Sequence, residues 1–133
     1  MYSKYFEQAN QYYKNGNYNE AIKDYKKCID FKFFETECFY NIGVCYIKKS
    51  NNTNKRFLNL AIKFFNKVLE KDSSHYKCLF NIAHVYDLLK NYKKAYIYIN
   101  RASIFNTEYD LDCDKLFKKI NKEIINEIQL GEV

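Results

Sequence analysis

The residues able to do chemistry in this 133-residue chain are five cysteines, two histidines and a surplus of lysine. Cys28, Cys38, Cys45, Cys78 and Cys113 form an odd set without a CxxC pair, so they predict small apolar fillers in a reducing compartment rather than a disulfide framework. His75 and Cys78 lie three apart and share a helix face, but two ligands without a second pair do not make a tetrahedral zinc site. A nucleophilic Cys–His pair needs a third group that orients the base, and nothing in the sequence supplies one. HExxH, GxSxG and a phosphate-cradling Gly-rich loop are missing, and three glycines are too few to build the last. The chain is expected to be non-catalytic, with no metal and no cofactor.

Lysine is the remaining chemistry. Twenty-two Lys and Arg against sixteen Asp and Glu give a formal charge of +6. The excess is concentrated from Lys48 to Lys94, where eleven basic residues face only Glu70, Asp72 and Asp87. Lys55, Arg56, Lys63, Lys67 and Lys71 fall on or near one predicted helix, and the last three recur every fourth residue on a single face. Such a stripe is either a solvated face or a nonspecific site for phosphates or an acidic protein. Arg56 and Arg101 are the only arginines, so the bidentate group that dominates base and phosphate recognition is scarce, and nucleic acid is not the expected partner. The opening MYSKYFEQ lacks an apolar signal core, and the longest uncharged run, Cys38 to Ile47, is far short of the roughly 20 residues that span a bilayer. No membrane partner is expected, and the expected location is the cytoplasm.

The elements that would position these residues are legible from periodicity. With 47% apolar and 19% aromatic residues and no proline, the composition predicts one all-α domain over residues 1–133. Ala9, Tyr12, Gly16, Tyr18, Ala21, Tyr25, Cys28 and Ile29 recur 74 residues later as Ala83, Tyr86, Lys90, Tyr92, Ala95, Ile99, Ala102 and Ser103. Gly43 and Tyr46 repeat the first half at a shift of 34, and Ala61, Phe65, Val68 and Leu69 repeat the second at 40, which locates a loop insertion near 51–55 in SNNTNK. Each unit reads as two amphipathic helices joined by a tight turn, with Gly or Asn of KNGNY and LKNY expected in the left-handed stop. Ala9, Gly43 and Ala83 are expected opposite small residues of the partner helix, and Tyr12, Tyr46 and Tyr86 in the wedge between neighbouring pairs.

This spacing of small, aromatic, Gly, aromatic and Ala markers resembles the tetratricopeptide repeat (TPR) family. The resemblance implies a right-handed α-solenoid of three repeats, about 2–35, 36–75 and 76–109. The family's repeat-ending proline is replaced by Phe33, Ser73 and Thr107, and its first-helix Trp by Tyr5, Phe39 and Leu79. After the repeats, Cys113, Leu116, Phe117, Ile120, Ile124 and Ile128 form one stripe of an amphipathic helix over about 110–130, preceded or opened by Asp110, Asp112 and Asp114. It is expected to cap the last repeat's apolar face.

By the same resemblance, the first helices line a concave groove that takes a peptide or helix of a partner protein. The residues placed to meet it are Phe6, Asn10 and Tyr13; Tyr40, Asn41, Val44 and Ile47; and Lys77, Phe80, Asn81, His84 and Leu88. Phe6, Tyr40 and Phe80 are equivalent and form either an exposed aromatic row or buried packing between repeats. Asn10, Asn41 and Asn81 are expected to bond a peptide backbone. Some relatives hold the acidic tail of Hsp70 or Hsp90 through a clamp of five polar positions, of which Asn10, Asn41 and Lys77 match three. Phe6 and Asn81 stand where the clamp has cations, which would remove most of its charge-assisted bonds. The expected role is a non-catalytic adaptor or scaffold.

Overall fold

The computed structural model describes residues 2–106 and 110–131, and its regular elements are all helices. In chain order they are α1 (Tyr2–Lys14), α2 (Tyr18–Asp30), α3 (Glu35–Ser50), α4 (Lys55–Lys71), α5 (Tyr76–Leu88), α6 (Tyr92–Ile104) and α7 (Leu111–Gln129). They fall into two compact units, residues 1–73 with α1 to α4 and residues 74–133 with α5 to α7.

In the first unit α1 packs on α2, α2 on α3 and α3 on α4. Each helix turns its small and aliphatic residues inward: Ala9 from α1, Ala21, Tyr25 and Cys28 from α2, Cys38, Ile42 and Cys45 from α3, and Ala61, Phe65 and Val68 from α4 are all buried. The small residue of α3 meets a large one rather than another small one. A Cβ added to Gly43 would come within 2.6 Å of Cε1 of Phe65, itself fully buried on α4, so glycine here makes room for a ring. The expected small-on-small contact is therefore corrected at Gly43. Two of the wedge tyrosines, Tyr46 and Tyr86, pack within their own pair. Tyr46 stacks on Phe57 and Phe64 of α4, and Tyr86 on Tyr98 of α6, so each ring fills space against the second helix of its own pair.

Three helices stop in the same way. After α1, the Gly16 amide donates to the Tyr13 carbonyl (3.0 Å) and that of Asn17 to Tyr12 (2.8 Å). After α2, Lys32 donates to Ile29 and Phe33 to Cys28, both at 2.9 Å; after α5, Lys90 donates to Asp87 (3.0 Å) and Asn91 to Tyr86 (2.9 Å). This is the paired bonding of a left-handed helix stop. Gly16 (φ 79°) fills it in the first turn as expected, whereas in LKNY the left-handed residue is Lys90 (φ 60°) and not Asn91. Lys32 (φ 56°) and Phe34 (φ 47°) flank Phe33, so two left-handed residues re-aim the chain where the family's proline is missing. Thr107, the third such position, lies outside the described residues.

The insertion in the second pair is only partly a loop. Helix α3 has 16 residues and α4 has 17, against 13 in α1 and α2, so most of the added length lengthens the two helices. Residues 51–54 alone make the turn, with Asn51 and Asn52 left-handed and Asn54 capping α4 through the Phe57 amide (3.1 Å).

In the second unit α5 packs on α6, and α7 covers α6 and touches α5. Cys113, Leu116 and Ile120 of α7 are buried and Phe117 and Ile124 are half-buried, as the stripe predicts; Ile128 is not, being 59% exposed. The Asp110 carboxylate caps α7 by accepting from the Asp112 amide (2.9 Å), and its other oxygen accepts from the Tyr76 hydroxyl (2.8 Å) at the start of α5. No described helix is long and apolar enough to cross a membrane.

Replacing Gly43 by alanine forces the added methyl against a ring that has nowhere to move. G43A is expected to cost about 1–3 kcal/mol, read as a lower urea midpoint, whereas an unchanged midpoint would show that the α3–α4 contact is loose.

Candidate functional site

The first-helix residues singled out by periodicity are partly exposed but not idle. Phe6 is half-buried, its ring edge-on to Tyr25 (5.9 Å), Phe33 (6.4 Å) and Phe34 (5.2 Å). Tyr40 lies 5.7 Å from the Phe65 ring, and in the other unit Phe80 stacks on Tyr76 at 6.4 Å. The three equivalent rings are thus half-buried anchors, each engaged by a ring of its own unit, rather than a bare aromatic row.

The asparagines are engaged as well. Tyr25 of α2 is 1% exposed, and its hydroxyl donates to Oδ1 of Asn10 on α1 while the side chain of Asn41 on α3 donates to it. Burial, followed by the neighbouring Cys45 and Cys38, pushes the phenol well above its usual range, so this hydroxyl stays protonated and can donate. Asn10 and Asn41 are therefore structural before they are recognition groups: they satisfy a hydroxyl that would cost about 1–3 kcal/mol to bury unpaired. Each amide retains hydrogen-bonding capacity beyond this bond.

What remains partly accessible beside these anchors is mostly apolar. On α1 Tyr13 is half-buried, its ring 5.7 Å from Tyr18, and burial chiefly raises its phenol. On α3, Val44 and Ile47 are half-exposed next to the buried Gly43 and Cys45. On α5, Lys77 is exposed while Asn81, His84 and Leu88 are half-buried.

His84 has a setting that periodicity alone did not show. Asp87, one turn on, is 6% exposed and receives the Lys119 ammonium of α7 on one oxygen, while its other oxygen is buried without a hydrogen-bond partner among the described residues. Desolvation lowers the His84 imidazole from its usual 6.5, partly offset by Asp87 and reinforced by Lys119. The sequence signal was available in Asp24 and Asp87, each a carboxylate set inside an apolar stripe, both now buried.

The other candidate groups resolve into structural parts. His75 caps α5, its Nδ1 accepting from the Cys78 amide at 3.1 Å. The five cysteines are buried thiols outside any disulfide, and burial pushes Cys38 and Cys45 up to about 12. At such values the nucleophilic thiolate is not populated. Among the described residues, no group of three or more His, Cys, Asp and Glu is placed to hold a metal ion.

Residues 3–32 and 76–103 each match a model of the tetratricopeptide repeat. Among solved structures the chain superposes on yeast Tom70 with a TM-score of 0.82 at 20% identity, over 98% of this chain and 25% of that one, so it spans about a quarter of Tom70. It superposes on the first TPR of Spaghetti (RPAP3), a structure bound to the HSP90 peptide SRMEEVD, with a TM-score of 0.81 at 18% identity over 93% of each chain. It also matches the C-terminal TPR-containing domain of an FK506-binding protein of Plasmodium falciparum, with a TM-score of 0.80 at 21% identity over 96% and 91%. The fold class is the all-α tetratricopeptide solenoid.

The His84 setting has a signed pH dependence. An imidazole whose pKa is lowered by folding contributes stability above its unfolded value near 6.5 that is lost as pH falls toward the folded value, because the unfolded chain then binds the extra proton. The urea midpoint is expected to fall between about pH 7 and 5.5 in the intact chain and less in H84Q; parallel profiles would show that His84 is not desolvated.

Proposed function

The chain belongs to the tetratricopeptide repeat family, and we propose that it is a protein-interaction module whose first helices receive a peptide or helix of a partner protein. On this reading α1–α2, α3–α4 and α5–α6 are the three repeats of one domain and α7 is its cap. The observation that carries the proposal is that the first helices of each unit, taken by itself, keep apolar side chains half-exposed: Tyr13, Val44 and Ile47 in the first and Leu88 in the second. Apolar groups left half in water are the usual anchors of a helix-in-groove or extended-peptide contact. Phe6, Tyr40 and Phe80 are half-buried anchors of the same helices, and the side-chain amides of Asn10, Asn41 and Asn81 meet a peptide backbone. The role is that of an adaptor or scaffold without catalysis.

A second reading has one specific support, the HSP90 peptide bound by the Spaghetti domain. In the present chain two positions of the corresponding clamp are Phe6 and Asn81, so a carboxylate ligand finds Lys77 as the single cation among the five positions. Each missing charge-assisted hydrogen bond weakens such a site by roughly 1.5–3 kcal/mol, enough to leave little affinity.

Selection of peptides from a displayed random library tests both readings. Enriched sequences are expected to be apolar and to lose binding to V44K/I47K while far-UV circular dichroism is unchanged. Equal binding to that variant would remove Val44 and Ile47 from the site. Calorimetric titration with SRMEEVD is expected to show millimolar or absent binding, and micromolar affinity would replace the apolar reading with the acidic-tail one.

A further inference from the structure

A second surface of the first unit carries its own chemistry. Four rings form a row of stacked and tilted pairs across α3 and α4: Phe39 lies 6.2 Å from Phe64, Phe64 lies 5.8 Å from Tyr46, and Tyr46 lies 6.0 Å from Phe57. Phe39, Tyr46 and Phe57 are half-buried and Phe64 is 9% exposed, so the strip is a partly open apolar surface. Three lysines from three helices stand over its ring faces. Lys26 of α2 is 5.8 Å from the centroid of Phe64, Lys67 of α4 is 5.7 Å from that of Phe39, and Lys49 of α3 is 4.4 Å from Phe57 and 5.4 Å from Tyr46.

Among the described residues these three ammoniums stand over rings with no carboxylate in ion-pair range, unlike Lys27. Lys71 is bound to Glu35 at 2.9 Å and Lys27 lies 3.7 Å from Asp24, whereas no ion pair within 4.0 Å involves Lys26, Lys49 or Lys67 among the described residues. A ring face steers an ammonium without neutralising it, so each of the three is held in place with its charge unspent.

We propose that the strip Phe39–Phe64–Tyr46–Phe57, with Lys26, Lys49 and Lys67 above it, is a docking surface for an acidic protein segment in which carboxylates alternate with apolar side chains. Charge complementarity selects the acidic partner: three positioned cations without counter-ions gain charge-assisted bonds to carboxylates. The rings select the apolar component, since their remaining exposed area is what such side chains would cover. Nucleic acid fits less well. Base stacking needs a free ring face, and here the faces are taken up by neighbouring rings and lysine ammoniums; the positioned cations are lysines, which bind phosphate as point charges without the bidentate fork of arginine. The surface draws on different side chains from the first-helix reading and does not depend on it.

Fluorescence anisotropy with a short labelled peptide of alternating Glu and Leu or Phe residues tests the proposal at low salt. The full chain is expected to bind it, K26E/K49E/K67E to lose roughly tenfold or more in affinity, and K26R/K49R/K67R to retain it. If the charge-reversed protein does not fold, as judged by circular dichroism, K26Q/K49Q/K67Q replaces it with the same direction expected. Binding by the charge-reversed or glutamine variant equal to that of the unaltered chain overturns the proposal. So does equally tight binding of an all-Glu peptide of the same charge, which would leave the rings without a role, or tighter binding of a single-stranded oligonucleotide than of the alternating peptide.

Discussion

The structure depends on a size match between the two helices of a pair. At the equivalent second-helix positions Tyr25, Phe65 and Ile99 are buried to 1% or less, and at the equivalent first-helix positions stand Ala9, Gly43 and Ala83. In each pair a bulky buried side chain of the second helix stands at the position equivalent to Phe65, and a small one of the first helix at the position equivalent to Gly43. The Gly43–Phe65 contact shows why: a single added carbon would lie at 2.6 Å from a ring that is enclosed on all sides. Close packing leaves no slack for such a carbon, so the identity of one residue fixes the latitude of the other. Repetition of this match along the chain makes the helices stack as pairs.

Tyr25 shows how the same position reaches toward function. Phe65 and Ile99 fill it with carbon alone, while Tyr25 adds a buried hydroxyl that must be paired, and the partners are Asn10 and Asn41 on the two first helices of its unit. One side chain of α2 therefore sets the rotamers of residues on α1 and α3. A preorganised first-helix surface loses less entropy when a ligand binds. The arrangement also explains why Asn recurs at these places without implying a clamp for an acidic tail: a tyrosine hydroxyl is a sufficient reason for both.

Much of this fold was legible because periodicity is a direct record of burial. Ala, Gly and Cys on one stripe, with Tyr a turn later, placed the inner face of each helix correctly, and the cap followed from one-sided amphipathicity as far as Ile124. Chain-end behaviour was less legible. Lys32 and Lys90 adopt a conformation usually given to glycine because the two stop hydrogen bonds outweigh the local preference. At the candidate site, spacing places residues but not their contacts. The positions are partly accessible, but spacing cannot distinguish an open ring from one edged by Phe33 and Phe34, nor a free amide from one bonded across two helices.

The lysines make the same point about charge. Lys27, Lys67 and Arg101 are equivalent under the shifts of 40 and 74 and all three lie over rings, of Tyr5, Phe39 and Tyr98 respectively. In the third repeat Leu79 replaces the ring found at Tyr5 and Phe39, and the cation turns to Tyr98 instead. A sequence count treats these residues as a solvated excess of charge. Geometry treats them differently, because an ammonium near a carboxylate is spent and one over a ring is only positioned. Lys27 near Asp24 and Lys67 over Phe39, at the same place in successive repeats, therefore offer a partner different things, and a basic segment acquires direction from which of its cations were left without a counter-ion.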